Sequence, residues 1–388
     1  MTNTKRILSL ALSAVLMLSL VACGAPAASS VQSPASAVSA PASASDTLTI
    51  TDHLGNSVTV PRMIKRIAVC DLFPLPSVLS VFFDSAEKIV GMAPPSMSAA
   101  KSSLLSELYP EILNAETGFI DGTNVNTEEL LKLAPDVVFY SAASKELGEK
   151  LTAAGFNAVA ISVSKWDYDA IETLNQWILL LSEIFPENAK ADIVAAYSAK
   201  TYDRVQERIK TLTDDERARA FFLFQYSDAS ISTSGKHFFG QWWADAIGAK
   251  NVGEELDKDN SAAVNMEQLY AWNPDLIFIT NFNISQPKDL YENGVGNYDW
   301  SGIAAVQNKR VYKMPLGMYR SYTCGVDTPV TLLWLAKTAY PDLFGDVNIT
   351  QEAKDYYKAV FGIALTDAQA EMIFTPSSAA GTGFAAGK

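Results

Sequence analysis

Residues Asn126 to Phe139 recur, 139 positions later, as Asn265 to Phe278. Identities pair Asn126 with Asn265, Glu128 with Glu267, Leu130 with Leu269, Pro135 with Pro274, Asp136 with Asp275 and Phe139 with Phe278, in a matching aliphatic register. Each copy predicts a short helix that must stop ahead of its proline, whose ring disfavours helical geometry in the preceding residue. A buried strand of β-branched and aromatic residues follows. Two copies of one αβ unit imply two related lobes.

Short apolar runs at Arg66–Cys70, Lys88–Met92, Ala158–Ser162, Ala220–Tyr226 and Val311–Met314 alternate with helical periods. That alternation predicts mostly parallel α/β sheets, which take ligands at the carboxyl ends of their strands. Between the lobes, Glu187 to Leu212 lacks Gly and Pro and sets Ile193, Tyr197, Val205 and Ile209 at multiples of four. This predicts one bridging helix of about 25 residues, ~37 Å long, and small lobe movements. Residues 348–361 and 366–374 read as terminal helices, and the Gly-, Ala- and Ser-rich tail from Thr375 is expected to be disordered.

The front end is of another kind. Lys5 and Arg6 precede an uncharged apolar stretch, Ile7 to Val21, which ends in Leu20-Val21-Ala22-Cys23-Gly24. The order is that of a signal peptide, and its last residues look like the lipobox of bacterial lipoproteins, with Cys23 as the lipidated residue. Such a lipid anchors without spanning. Gly24 to Ser45 carries no charge and is dominated by Ala, Ser and Pro, a leash that cannot bury enough apolar surface to fold. The expected plan is leader 1–22, anchored linker 23–46, first lobe 47–186, bridge 187–212, second lobe 213–345, terminal helices 346–374 and tail 375–388.

Without Lys5 and Arg6 the chain has 28 basic against 43 acidic residues, a net charge of −15. Nucleic acid is therefore not an expected partner, because phosphate contacts need a basic footprint. Cys70 and Cys324 read as buried thiols, though one disulfide is possible. With His53 and His237 as the two histidines, a site for bare zinc or manganese is disfavoured. His53 belongs to the turn, His53 to Asn56, of a hairpin whose strands run Leu48 to Thr51 and Ser57 to Val60, and reads as structural. No standard hydrolase or redox motif is present, so neither enzymatic activity nor an intrinsic cofactor is expected.

The loops that follow the strands nominate Phe73, Tyr140, Ser141, Trp166, Tyr226, Lys236, His237, Trp242, Asn281, Tyr319, Arg320 and Tyr322 as ligand-binding residues. Of the neighbours Trp242 and Trp243, one is expected in the core. Planar faces with a few cations suit a bulky, anionic, partly aromatic ligand. Arg320 is the strongest candidate, since a guanidinium can bind carboxylate or catecholate oxygens through two parallel bonds.

The lipobox, the bridging helix and the repeat, with Ile50-Thr51-Asp52-His53-Leu54-Gly55-Asn56 leading into Lys65–Val69 and with Trp300 to Tyr312, resemble the iron-siderophore and cobalamin class of ABC-transporter substrate-binding proteins. The match runs from about Leu48 to Phe344. It implies the class III periplasmic-binding-protein fold, α/β with two lobes of mostly parallel sheet joined by one long helix. It also implies a monomeric lipoprotein on the outer face of the cytoplasmic membrane that delivers its ligand to a permease and ATPase. The implied ligand is an iron chelate, with haem or a corrinoid such as cobalamin as alternatives. A tyrosine between Tyr319 and Tyr322 would then reach ferric iron. Haem would draw on His237 with Tyr319 or Met318. Where cobalamin binders stack tryptophans this chain has Tyr140 and smaller residues, which lowers that alternative. By the same resemblance, Glu146 and Glu267 would dock on the permease. A lipoprotein enzyme or sensor on the same fold is the more distant reading.

Overall fold

The computed structural model describes residues 46–384, so the leader, Cys23 and most of the linker lie outside the described residues. The first lobe opens with an antiparallel hairpin, β1 (Thr47–Thr51) and β2 (Ser57–Pro61), in which Asp52 accepts the Leu54 and Asn56 amides. Next come β3 (Ile67–Val69), β4 (Ile89–Met92), a small hairpin of β5 (Ile120–Asp121) and β6 (Asn124–Val125), β7 (Val137–Ser141) and β8 (Ala158–Ile161). The central sheet runs β4-β3-β7-β8, parallel throughout. The second lobe adds β9 (Arg219–Tyr226), β10 (Ile231–Ser234), β11 (Lys250–Asn251), β12 (Ser261–Val264), β13 (Leu276–Ile279) and β14 (Val311–Lys313). There β11, β9, β13 and β14 are parallel, while β10 lies antiparallel between β9 and β12.

The repeat is a latch between a helix and a sheet. Asn126 caps the helix Thr127–Lys132 and Asn265 caps Met266–Trp272. Both helices end in a left-handed residue, Ala134 (φ 44°) and Asn273 (φ 40°), immediately before the proline. Asp136 then accepts the backbone amides of Lys65 and Arg66 at 2.7 and 2.9 Å, and Asp275 accepts that of Arg219 at 2.9 Å. The arginines answer by donating to carbonyls at the helix ends, Arg66 to Leu133 and Arg219 to Trp272. Each Pro-Asp thus pins its helix to the strand that opens the sheet.

The bridging helix is shorter than expected, Ala191–Ile209 rather than 187–212. Pro186–Asn188 forms a separate 3-10 turn, so the α-helix begins later and measures about 28 Å. Its buried stripe is Val194, Ser198, Thr201, Val205 and Ile209, whereas Ile193 is exposed and Tyr197 half-buried. Steps of four drift around a helix of 3.6 residues per turn, so a row of multiples of four leaves the core face within a few turns. The terminal helices Ile349–Tyr356 and Asp367–Phe374 are present. The bridge is tied to the C-terminal region through Arg204 and Glu352, Arg208 and Asp346, and the tilted rings of Tyr197 and Tyr356, 4.9 Å apart.

The tail departs from expectation. Residues 378–381 form a 3-10 turn in which Ala380 and Gly381 are buried. Small residues, which carry no signal of order by composition, let this backbone enter a narrow gap.

Candidate functional site

The segment after β14, Pro315 to Asp327, lies between the lobes. Leu316 pairs with Arg320 in an antiparallel bridge, and its amide donates to Ile373 of the terminal helix. From the first lobe, the Leu104 amide donates to the Gly317 carbonyl and Ser103 Oγ to that of Met318. Asp327 holds the turn from beneath, accepting the Met318 amide at 2.8 Å and the Tyr357 hydroxyl. Burial pushes its carboxyl up to about 6, against the pull of these donors. Gly317 is required here, since a Cβ would sit 1.9 Å from Asp327 Oδ1.

This turn aims Arg320 into the gap between the lobes, where it is 1% exposed. Nε donates to the Ala380 carbonyl at 3.1 Å and Nη2 to that of Thr382 at 2.9 Å. Nη1 reaches the Pro95 carbonyl and Tyr319 Oη at 3.2 and 3.3 Å. The guanidinium lies 5.5 to 5.8 Å from the rings of Phe282, Tyr319 and Phe384. All of these hydrogen-bond acceptors are neutral, and no carboxylate pairs with Arg320 among the described residues. A buried cation in this state is poised for an anion.

Beside it, Tyr322 is fully buried among Phe222, Phe224, Phe238, Phe239 and Phe282, ring centroids 5.5 to 6.3 Å away. The Gly240 amide donates to its hydroxyl and Trp243 Nε1 to its carbonyl. Asn281 donates to the carbonyls of Met314 and Pro315, and its Oδ1, like Ser321 Oγ, is buried without a hydrogen-bond partner among the described residues. Lys313 braces the neighbouring loop by donating to the carbonyls of Thr280, Asn283 and Ser285, and burial lowers its amine to about 7. On the first lobe, Asp71 accepts the Ser141 amide at 2.7 Å and the Ser144 hydroxyl at 2.5 Å, beside a cavity of about 480 Å³ that Phe73 also lines.

The structure gathers Phe73, Asn281, Tyr319, Arg320 and Tyr322 at or beside this gap and leaves Ser141 on the first-lobe rim. Others lie elsewhere. Tyr140 points to the opposite face of the sheet from Phe139, under Gly148 and beside an outer groove of about 990 Å³, because successive strand residues alternate faces. Trp166 packs edge-on against His53, 4.9 Å away, and Tyr226 bonds Trp300 in a separate core cluster. Lys236 and His237 are exposed, and His237 meets Asp257 at 3.1 Å rather than the gap. Trp243 is the core member of its pair and Trp242 stays half-buried. His53 is structural, its Nδ1 accepting the Ser162 amide, and Cys70 and Cys324 are free buried thiols. Glu146 and Glu267 are exposed at helix starts, but the repeat pairs Glu267 with Glu128, not Glu146. The exposed Leu131 and Tyr270 share the same correspondence. Sequence reasoning missed Phe224, the helix Pro94–Ala100 and the tail; the signal available for the last was Phe384, a lone aromatic in a run of small residues.

Residues 88–316 match the family described as periplasmic binding protein. The molybdate-binding protein MolA of Haemophilus influenzae is 27% identical over 336 residues, spanning 80% of this chain and 90% of that protein. Its molybdate-bound crystal structure superposes with a TM-score of 0.68 at 25% identity, covering 82% of this chain and 99% of that one. A periplasmic solute binding protein from Veillonella parvula gives 0.75 at 28% identity, with coverage of 84% and 97%. The Ni(II)-bound CeuE of Helicobacter pylori shares the fold, with a TM-score of 0.65 at 23% identity over 84% of this chain and all of that one.

Proposed function

The chain belongs to the periplasmic binding protein family and is a solute-binding protein of an ABC transporter, and on that premise we propose that its cargo is an anionic metal species captured on Arg320. The observation that carries this is the buried guanidinium, which among the described residues is held by neutral acceptors alone. Tyr319 Oη lies beside it, Ser321 Oγ belongs to the next residue, and Asn281, whose side-chain amide holds the Met314 and Pro315 carbonyls, adds a further buried oxygen. The molybdate-binding relative favours a metal oxyanion. The aromatic basin around Tyr322 favours a second member of the same class, an anionic ferric catecholate. Haem has weaker support, because His237 is exposed on Asp257.

Calorimetric titration of the full chain with molybdate, tungstate, sulfate, ferric catecholate, haem and cobalamin tests the reading. Binding of an anionic metal species is expected, weakened about 100-fold (~2.7 kcal/mol) by Arg320→Ala. Saturable binding that ignores this substitution would refute it. Cys23 carries the lipid in this reading, so fatty-acid labelling should vanish in Cys23→Ala. Permease contact falls on the paired helix starts at Glu128 and Glu267, with Glu146 of the first lobe as the alternative; charge reversal at each, read by uptake with ligand binding intact, separates them.

A further inference from the structure

We infer that the C-terminal segment Ser377–Phe384 is a built-in plug, a stand-in ligand that occupies the binding gap and that the anion must displace. Both lobes hold it. Thr382 O accepts from Arg320 Nη2 of the second lobe and from Ser98 Oγ of the first. Ala380 O accepts from Arg320 Nε, and Ala379 O from Ser102 Oγ. The Phe384 ring lies 4.7 Å from that of Phe282 and 6.5 Å from Phe224 in the second lobe, and 6.4 Å from Phe73 in the first. It also supplies one of the faces against the Arg320 guanidinium. The fit is close: a Cβ on Gly381 would come within 2.0 Å of the Asn283 carbonyl oxygen.

The chemistry makes the plug displaceable. Two of its backbone carbonyls take the Nε and Nη2 donors of Arg320, but they bring no charge. An oxyanion accepts the same N–H groups and adds the attraction of a full negative charge for the buried guanidinium, which a neutral carbonyl lacks. The tail therefore keeps the empty receptor closed and sets a threshold, because apparent affinity falls by the fraction of molecules whose site is open. Departure of the plug would free the first-lobe contacts through Ser98, Ser102 and Phe73 along with Arg320, so ligand capture and the interlobe contact change together.

The inference rests on the anion reading, and the test separates the two. Molybdate is titrated into the full chain, into Gly381→Val, which keeps the length but cannot seat the tail, and into a chain ending at Pro376. Amide hydrogen exchange of residues 377–384 is followed with and without molybdate. Expected are affinities at least about tenfold tighter in both altered chains, slow tail exchange without molybdate, and fast exchange at saturation. Equal affinity in all three chains, or a tail still protected at saturation, overturns the plug and leaves the anion reading standing. Binding of molybdate by none of them defeats the molybdate reading, and exchange then decides the plug. Tail protection that Arg320→Ala abolishes supports it, and a tail that exchanges freely in the unaltered chain overturns it.

Discussion

The two lobes carry the same latch and different rims. In each, a capped helix turns left-handed before a proline, and an aspartate grips the backbone of the opening strand. At the strand ends the likeness stops. The first lobe presents small polar groups that satisfy one another, Asp71 with Ser141 and Ser144. The second presents a buried arginine and a nest of aromatic rings. Repetition therefore preserved the scaffold, while the proposed anion site draws on the unrepeated turn 315–327, with the tail packed in front of it.

This contrast can be broken in several ways. The largest effect is expected from the two core tryptophans, Trp177 of the first lobe, which donates to Ser162 O, and Trp243 of the second, which donates to Tyr322 O. Trp→Ala at either should cost about 3–5 kcal/mol in urea unfolding. Only Trp243→Ala should also weaken anion binding, because it undercuts the turn bearing Arg320; equal effects on binding would erase the functional asymmetry.

Next in size is a pH effect confined to the first lobe. Burial, aided by the Lys165 charge, lowers His53 from 6.5 to about 4 in the folded state. A depressed histidine favours the fold while neutral, so its contribution is complete above pH 6.5 and drains away as pH falls through 4. The loss is up to about 3 kcal/mol. Unfolding of His53→Asn between pH 4 and 7 should show a flatter slope than the unaltered chain, and an identical slope would contradict the assignment.

For binding, Ser141→Ala on the first-lobe rim should change molybdate affinity by less than about threefold, ~0.6 kcal/mol, against the hundredfold expected for Arg320→Ala. A large Ser141 effect would move the first lobe from wall to ligand donor. The latches should differ least: Asp136→Ala and Asp275→Ala are each expected to cost about 1–2 kcal/mol in the same unfolding assay. A marked inequality would show that the repeat is not energetically symmetric.

Much of the scaffold was legible because its signals are local. Pro135 and Pro274 end helices wherever they stand, and runs such as Val137–Phe139 and Leu276–Phe278 bury themselves as parallel strands. Arg320 was legible as well, being a cation among Met, Tyr and Ser just after a strand. Tyr140, Trp166, Tyr226 and His237 were misplaced because occurrence after a strand does not say which face a side chain takes or which loop turns away. The bridging helix lost its first turn to Pro186, which lies one residue ahead of the Gly- and Pro-free run and opens a separate 3-10 turn.

By itself, then, the sequence determined two related α/β lobes, the helix between them and the presence of a cation suited to anions, since periodicity, proline and charge act within a few residues of one another. Only the tertiary structure decided that Arg320 has no carboxylate partner among the described residues and that the Gly- and Ala-rich tail lies against it. Both facts depend on which distant backbones approach closely enough to bond. The residues best able to make that approach, Ala380 and Gly381, are the ones whose small side chains leave the least trace in composition.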